Sequence, residues 1–449
     1  MKEHRPESIE MSEEELNDTV AFALRRAQVN GADQSEAALT RDFGITVTAR
    51  LRDIETLEYQ NDRGFGITVY FEQRKGSAST SDFSHAAIDK AVDKACSIAR
   101  QTTADEYAGL PDEESMANNP PRIALDFPWS LSAEDARELA IECECAALDS
   151  DSRISNSEGA SVASGRSLRV YANSHGFHGS YWLSRHSISC AVIAGESDSM
   201  ERDYHYSVAR DPQDVESGVA VGKEAGRRAV RRLNSRRLTT REAPVLFPAE
   251  LARGLFGHAA SAMAGGAQYR RASFLLDGVG EQLFPKSIQW DEEPHLDKAL
   301  ASAPFDSEGV ATQARRLVAD GRFQGYILSS YSARRLGLST TGNAGGLHNV
   351  IVASSDGAST DLMSDMGRGF MVTELMGQGV NPVTGDYSRG AAGFWVENGE
   401  PQYPVSEITI AGNLRDMYSN IIGIGDDVDR RGVIQCGSVL LSKMTIAGE

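Results

Sequence analysis

The residues best suited to chemistry lie in a glycine-rich stretch at 373–400, TELMGQGVNPVTGDYSRGAAGFWVENGE. From Gly337 to Gly399 the chain has 13 glycines, about three times the usual share. Glycine costs conformational entropy on folding, so such a cluster indicates positive-φ turns or backbone that another group approaches closely. The polar and aromatic side chains among these glycines are Glu374, Gln378, Asn381, Asp386, Arg389 and Trp395. This pattern is typical of a polar surface lined by backbone, and equally of tight hairpin turns in an antiparallel sheet.

Zinc-dependent hydrolysis commonly uses two histidines one helical turn apart, with a glutamate base between them. No histidine of this chain has another four residues away, and none is followed directly by glutamate. The nine histidines are His4, His85, His175, His178, His186, His205, His258, His295 and His348. A self-contained zinc site on one helix is therefore not expected. The pair His175 and His178 has no carboxylate or cysteine nearby, so we interpret it as part of a turn rather than as metal ligands.

The net charge of −19 over 449 residues disfavours attraction to nucleic acid or to an anionic membrane. Residues 223–241 oppose this trend, because Lys223 and seven arginines outweigh Glu224 to give a charge of +7. We interpret this window as a solvated helix end, with cations near its C-terminus, followed by a linker. Contact with an acidic partner subunit is the alternative.

The chain has the features of a cytoplasmic protein. No apolar run approaches the roughly 18 residues of a membrane span. The acidic N-terminus lacks the apolar core of a signal peptide. Its five cysteines, an odd number, indicate free thiols rather than a disulfide framework.

Local patterns predict an α+β fold. Ser12 before three glutamates, and Ser132 with Asp135, are typical of helix N-caps. Apolar spacing predicts further helices at about 84–101, 214–233 and 248–264. Alternating residues predict strands at 44–58, 64–72, 167–171 and 181–194, and strands dominate from 302 onward. We expect an N-terminal domain at 1–238, with helices packed on an antiparallel sheet, and a sheet-rich, barrel-like C-terminal domain at 239–449.

Longer blocks of the chain resemble the TldD/PmbA family, and within it the PmbA (TldE) branch. Besides the glycine-rich stretch, these blocks include YPVSEITIAGNLRDM, IQCGSVLL, FGITVYFEQRKGSAS, NSHGFHGSY and SYSARRLGLSTTGNAGG. Matching blocks extend over nearly the whole chain. The resemblance implies an intracellular metalloprotease that acts on unfolded peptides, matures microcin-type peptide antibiotics and degrades an antitoxin. An older family name, modulator of DNA gyrase, implies a different role.

In that family the TldD subunit has a zinc motif of the form HExxxH and a cysteine near the C-terminus. Placed against this motif, the chain has Gly257 and Ala262 where the two histidines stand, and His258 where the glutamate stands. Hydrogen and methyl groups cannot bind zinc, so the resemblance implies no metal ligand and no catalytic residue here. Cys436 lies at about the place of the third ligand, and we interpret it as a buried free thiol. We interpret His258 as a hydrogen-bonded helix histidine.

The sequence therefore predicts the non-catalytic subunit of a two-component peptidase. By resemblance, a TldD-like partner supplies zinc, whose bound water attacks the peptide carbonyl. The exposed backbone of the glycine-rich stretch would help hold an extended, unfolded peptide. Glu374, Gln378, Asp386 and Arg389 are the candidate groove or interface contacts, and turn-stabilising hydrogen bonds within the chain are the alternative.

Two competing functions stay open at this point. The alternatives to the subunit role are a metalloprotease in its own right and a non-enzymatic regulator of DNA gyrase. The sequence does not decide whether the isolated chain forms a homodimer. Neither nucleic acid nor a membrane is expected as a partner.

Overall fold

The structure, a computed structural model, describes residues 12–354 and 361–448. Residues 1–11, which include His4 and most of the N-terminus on which the absence of a signal peptide was predicted, lie outside the described residues. Within those ranges, each helix is too short or too polar to span a bilayer.

The first half of the chain alternates helices with long strands. Its helices are α1 (Glu13–Val29), α2 (His85–Gln101), α3 (Ala133–Leu148) and α4 (Gly218–Arg231). Its strands are β1 (Gln34–Arg50), β2 (Asp53–Phe71), β3 (Arg74–Thr80), β4 (Ile154–Asn173), β5 (His178–Ala194) and β6 (Glu201–Ala209). Residues 103–128 are largely irregular, with one short 3₁₀ turn.

The second half is richer in strands. Its helices are α5 (Ala249–Met263), α6 (Gly265–Tyr269), α7 (Ser330–Leu336), α8 (Leu362–Met366) and α9 (Leu414–Ser419). Its strands are β7 (Arg241–Phe247), β8 (Ile288–Glu292), β9 (Arg315–Ala319), β10 (Arg322–Phe323), β11 (Val350–Ser354), β12 (Arg368–Met376), β13 (Asp386–Glu397), β14 (Glu400–Asn413), β15 (Ile421–Ile424), β16 (Ile434–Gln435) and β17 (Val439–Ala447).

Side-chain caps begin the helices where the sequence predicts them. The Ser12 hydroxyl accepts a hydrogen bond from the Glu15 backbone N–H, and the Glu15 carboxylate accepts one from the Ser12 N–H. Ser132 and Asp135 make the same reciprocal pair at α3. Each cap satisfies N–H groups that have no partner inside the helix. Both predicted caps are confirmed.

The first six strands form one antiparallel sheet in the order β3-β2-β1-β4-β5-β6. Odd-numbered residues of β1 point to one face, where Leu39 packs under α1 and α2 while Val47 packs under α3 and α4. Two helix pairs therefore lie side by side on the same face of this sheet. The predicted N-terminal architecture of helices on an antiparallel sheet is confirmed.

The strands of the second half close into a barrel. Pairing runs β14-β13-β12-β7-β17, and β17 pairs back onto β14. Helix α5 contributes Leu255, Phe256 and Ala259 to the large apolar core that fills this half. A second sheet, β10-β9-β8-β11-β16, lies beside the barrel. The predicted barrel-like, sheet-rich architecture is confirmed, whereas the domain boundary at 238/239 stays a prediction.

One predicted strand is wrong. Residues 44–58 alternate like a single strand, but the chain reverses at Leu51 and Arg52, so that β1 ends at Arg50 and β2 begins at Asp53. Both turn residues adopt positive φ, 53° and 67°, the conformation of the tight turns that suit hairpins. Glycine and asparagine usually mark such turns, and neither is present, so the local pattern concealed the reversal.

The arginines of residues 223–241 connect the two halves of the chain. An Arg228 guanidinium N–H donates to Glu250 of α5 at 2.9 Å. Arg232, whose side chain is 12% exposed, forms ion pairs with Glu201 of β6 and Glu374 of β12. The expectation of a solvated helix end is therefore wrong for these two residues, because acids from both halves surround their charges.

Candidate functional site

Helix α5, on which the resemblance places the metal motif, and the glycine-rich stretch meet at the barrel. The stretch forms the antiparallel pair β12–β13 and the turn between them, and α5 packs against β12. The His258 imidazole lies edge-on to the Tyr387 ring, with 6.1 Å between the ring centroids. Arg389 follows two residues later on β13 and therefore points to the same face as Tyr387. His258, Tyr387 and Arg389 define what we call the α5–β13 cluster.

The α5–β13 cluster has one cation and no carboxylate among these three side chains. Burial and the nearby Arg389 charge lower the pKa of His258, so its imidazole is neutral at neutral pH. Burial raises the pKa of Tyr387 to about 12. Arg389 donates to the Leu375 carbonyl at 3.3 Å, while its buried Nε has no partner within the described residues. The cluster thus offers a positive charge and neutral polar groups, which suit a peptide carbonyl or carboxylate.

The residues at the zinc-motif positions do not fit a zinc ion. Gly257 and Ala262 provide no donor atom. Ala262 is buried at 3% exposure, whereas a Cβ on Gly257 would have nothing closer than an Ile434 carbon at 4.0 Å. Neither position therefore supplies a metal ligand.

Cys436 is also poorly placed for metal binding. Its thiol is fully buried and lies 3.9 Å from the Ala249 carbonyl oxygen, at the start of α5. Burial raises the pKa of this thiol, which favours S–H over the thiolate that binds zinc. Throughout residues 12–354 and 361–448, no three His, Cys, Asp or Glu side chains are grouped so as to hold a metal ion. The interpretation of Cys436 as a buried free thiol is confirmed.

The four candidate groove residues have different surroundings. Glu374 is ion-paired with Arg232. The Asp386 carboxylate accepts from the Thr384 hydroxyl at 2.7 Å and from the Asn413 amide at 3.2 Å. The Asp386 contacts are those of the turn-stabilising alternative, whereas the Glu374 ion pair joins the two halves of the chain. Gln378 is exposed in the turn between β12 and β13, and Arg389 lies in the α5–β13 cluster. The structure thus brings Arg389 to the motif helix and leaves Gln378 free at the rim.

The sequence predicts structural roles for His175 and His178 in a turn and for His258 on a helix. The turn joining β4 to β5 is present, and both His175 ring nitrogens have protein neighbours, the Pro111 carbonyl at 3.1 Å and the Gln34 amide at 3.4 Å. The predicted turn is confirmed. In the described chain the contact of His258 is the ring of Tyr387 rather than the hydrogen bond that we expected.

Tyr387 is the member of this cluster that sequence reasoning missed. Its signal was its position two residues before Arg389 within an alternating strand, which places both side chains on one face. Its partner His258 lies 129 positions earlier in the sequence, and no local pattern connects the two.

Comparison with known proteins identifies the family of this chain. Models of the PmbA/TldA metallopeptidase family match three successive parts of the chain: domain 1 at residues 35–99, the central domain at 126–233 and the C-terminal domain at 240–448. The chain belongs to this family.

Relatives similar to the chain over almost all of their length carry the same family name. The metalloprotease PmbA homologue of Haemophilus influenzae is 48% identical over 98% of both chains. The metalloprotease PmbA of Escherichia coli O157:H7 is 49% identical over the same shares.

Solved structures share the fold. A Bacteroides thetaiotaomicron protein described as a modulator of DNA gyrase is 25% identical and superposes with a TM-score of 0.91, covering 98% of this chain and 100% of its own. TldE of Thermococcus kodakarensis, 18% identical, superposes with a TM-score of 0.80 over 96% of this chain and 100% of its own. At 18% identity, the second likeness concerns the fold alone.

Proposed function

We propose that this chain is the non-catalytic, TldE-like subunit of a cytoplasmic two-component peptidase. The observation that carries the proposal is on α5, where Gly257 and Ala262 stand in place of metal ligands and have no donor atom. A TldD-like subunit would hold the zinc ion, and hydrolysis would belong to that partner. The substrates would be unfolded peptides, including microcin-type precursors and an antitoxin.

The role left to this chain is to hold extended substrate at the α5–β13 cluster. Exposed backbone in the glycine-rich turn pairs with a peptide irrespective of its side chains. The half-buried Arg389 guanidinium and the exposed Gln378 amide supply hydrogen-bond donors for peptide carbonyls. Glu374 and Asp386 belong to the same proposal, as residues that shape the turn or contact the partner subunit.

Reconstitution of the complex tests which of the two subunits holds zinc and hydrolyses the peptide. We expect the purified chain to contain substoichiometric zinc, measured by mass spectrometry, and to leave fluorescently labelled casein intact. Addition of a TldD-like protein with an intact HExxxH motif should produce a complex and zinc-dependent hydrolysis. The control is the TldD-like protein alone, which should be much less active than the mixture.

The competing functions make different predictions in the same experiment. Stoichiometric zinc and hydrolysis by the isolated chain would make it a metalloprotease in its own right, as the names of its relatives suggest. Co-purification with DNA gyrase, with no TldD-like chain present, would favour the regulator that the Bacteroides protein's description suggests.

Alanine substitutions test the substrate contacts. We expect Gln378→Ala and Arg389→Ala each to slow hydrolysis by the reconstituted pair by about three- to tenfold, the value of one or two hydrogen bonds. Gln378→Ala should not change the melting temperature, because this side chain is exposed. Glu374→Ala and Asp386→Ala should lower activity beyond any loss of folded protein. The matched control is Gln402→Ala, an exposed glutamine on β14. Unchanged hydrolysis in all four variants would exclude a groove role.

A further inference from the structure

Two arginines lie side by side between the two helix pairs of the first sheet. Along β1, Leu39 packs in the core under α1 and α2, and Ile45 packs in the core under α3 and α4. Arg41 and Phe43 lie between these two cores, on the same face of the strand. Arg63 of β2 is directly opposite Arg41, so its side chain projects from this face as well. We call Arg41 and Arg63 the arginine pair.

The first member of the arginine pair is buried without an acidic partner. Arg41 is 7% exposed, and its Nε has no hydrogen-bond partner in the part of the chain that the structure describes. Its guanidinium carbon lies 5.8 Å from the centre of the Phe43 ring, near the outer limit of a cation–π contact. A buried charge is costly unless it is paired and hydrogen-bonded. The cost at Arg41 would be offset by an anion.

The second member of the pair adds a positive charge to the first. Arg63 is exposed, and within the described residues it has no acidic partner. The acids nearest in sequence, Asp42 and Asp62, point to the opposite face of the sheet, where Asp42 accepts from Arg169 at 3.1 Å. Like charges directly opposite each other are unfavourable. An anion that contacts both guanidinium groups would therefore stabilise the pair.

A neighbouring arginine shows how the same surroundings are satisfied by an oxyanion. Arg166 of β4 also lies 5.8 Å from the centre of the Phe43 ring. Its Nε donates to the Asp126 carboxylate at 2.8 Å, and a second guanidinium nitrogen donates to the other oxygen of that carboxylate. Two arginines thus contact one aromatic ring. Arg166 has a carboxylate that accepts two hydrogen bonds, and Arg41 has none among the described residues.

We propose that the arginine pair binds a phosphate group, either as free phosphate or as part of a small phosphorylated molecule. A phosphate group carries a charge of about −1.5 to −2 near neutral pH, which matches two arginines better than one carboxylate does. Guanidinium groups bind such oxyanions through paired, directional hydrogen bonds. The exposed Arg63 places the site at the protein surface, where a small anion can reach it, and Arg41 forms its floor beside Phe43.

Calorimetric titration of the full-length chain tests the proposal. We expect one saturable site for phosphate at constant ionic strength, set with sodium chloride. Arg63→Gln should weaken binding by about tenfold or more, the value of one charged hydrogen bond, and Arg41→Met should abolish it. Phenyl phosphate is the second probe. Tighter binding of phenyl phosphate would assign the site to a phosphorylated molecule, whereas equal binding would assign it to free phosphate.

Arg185→Gln is the matched control. Arg185 is an exposed arginine of the same sheet. It lies opposite Gly165 of β4, which in turn lies opposite Gly44 of β1, so its side chain points to the face away from Arg41. Phosphate binding should be unchanged in this variant. An equal loss in Arg185→Gln and Arg63→Gln would mean that phosphate responds only to the overall charge, and the proposal would fail.

Thermal melting separates a binding role of Arg41 from a structural one. Without phosphate, Arg41→Met should be at least as stable as the unmodified chain, because it removes an unpaired buried charge and retains an apolar side chain of similar length. Phosphate should raise the melting temperature of the unmodified chain and of Arg185→Gln, but not that of Arg41→Met.

Three results would overturn the proposal. The first is the absence of saturable phosphate binding by the unmodified chain. The second is binding that survives both Arg41→Met and Arg63→Gln; the exposed position of Arg63 keeps this comparison available if Arg41→Met does not fold. The third is an Arg63→Gln variant that loses only the binding of a TldD-like protein, because the pair would then belong to that interface. None of these measurements depends on zinc content or peptide hydrolysis.

Discussion

Replacing Glu292 by alanine is expected to lower the free energy of unfolding by about 3–5 kcal/mol, the usual cost of breaking a buried ion pair. Glu292 ends β8 and is 1% exposed. Its carboxylate accepts from Arg315 at 2.8 Å, from the Asn343 amide at 2.7 Å and from the His348 backbone N–H at 2.8 Å. Alanine would leave the Arg315 charge without its carboxylate, with only the Tyr326 carbonyl and the Asn343 amide oxygen as neutral acceptors. The buried His348 N–H would lose its acceptor and bear its desolvation cost.

The neighbouring pair on the same two strands provides the control. Asp291 and Arg316 form an ion pair at 2.8 Å, but their side chains are 35% and 49% exposed. Asp291→Ala should therefore cost less than about 1 kcal/mol. Urea titrations of both variants, followed by fluorescence, give the comparison. Equal losses from the two substitutions would mean that burial does not set the value of the Glu292 network.

The change in the free energy of unfolding at acidic pH provides a second measurement. Burial opposes the charge of Glu292, but hydrogen bonding with His348 and the Arg315 charge outweigh it and lower its pKa. A carboxyl with a lowered pKa in the folded state stabilises the protein above its ordinary pKa, near 4.5. That contribution is lost as the pH falls through the folded-state value. Glu292→Ala should therefore flatten the loss of stability below about pH 4.5.

Much of the architecture follows from local sequence signals. The caps at Ser12 and Ser132, the apolar stripes of the helices and the alternating strands are each encoded within a few residues. The local sequence pattern did not predict the hairpin turn at Leu51 and Arg52, because neither residue favours positive φ on its own. The many hydrogen bonds of the long β1–β2 pairing impose that conformation. A backbone conformation imposed by the pairing of two long strands cannot be predicted from a short stretch of sequence.

The candidate site was less accessible to sequence reasoning. The absence of donor atoms at Gly257 and Ala262 is explicit in the residue types. The meeting of His258 with Tyr387 depends on how α5 packs on the barrel. The role of Glu374 likewise depends on Arg232, which lies 142 positions away. The sequence predicts solvent exposure for the arginines of residues 223–241, because it does not show which acids surround them in the fold.

Arg232 gives rise to the second large prediction. Its guanidinium faces three carboxylates, Glu201 at 3.3 Å, Asp203 at 3.7 Å and Glu374. Two of these belong to β6 and the third to β12, so this largely buried cation links the two halves of the chain. We expect Arg232→Ala to lower the free energy of unfolding by about 3 kcal/mol, because three acids would then repel one another across the junction. Urea unfolding at neutral pH measures this loss.

Arg227, five residues earlier on α4, separates this effect from a general loss of positive charge. Its side chain is 60% exposed and pairs with Glu224 at 2.7 Å, so Arg227→Ala should cost less than about 1 kcal/mol. Burial raises the pKa of Asp203 even beside Arg232. Without that cation its pKa should rise further, and part of the stability lost in Arg232→Ala should return on acidification, as Asp203 takes up a proton. Equal losses for the two variants at neutral pH would instead mean that the junction is held by its apolar contacts, with the ion pairs contributing little.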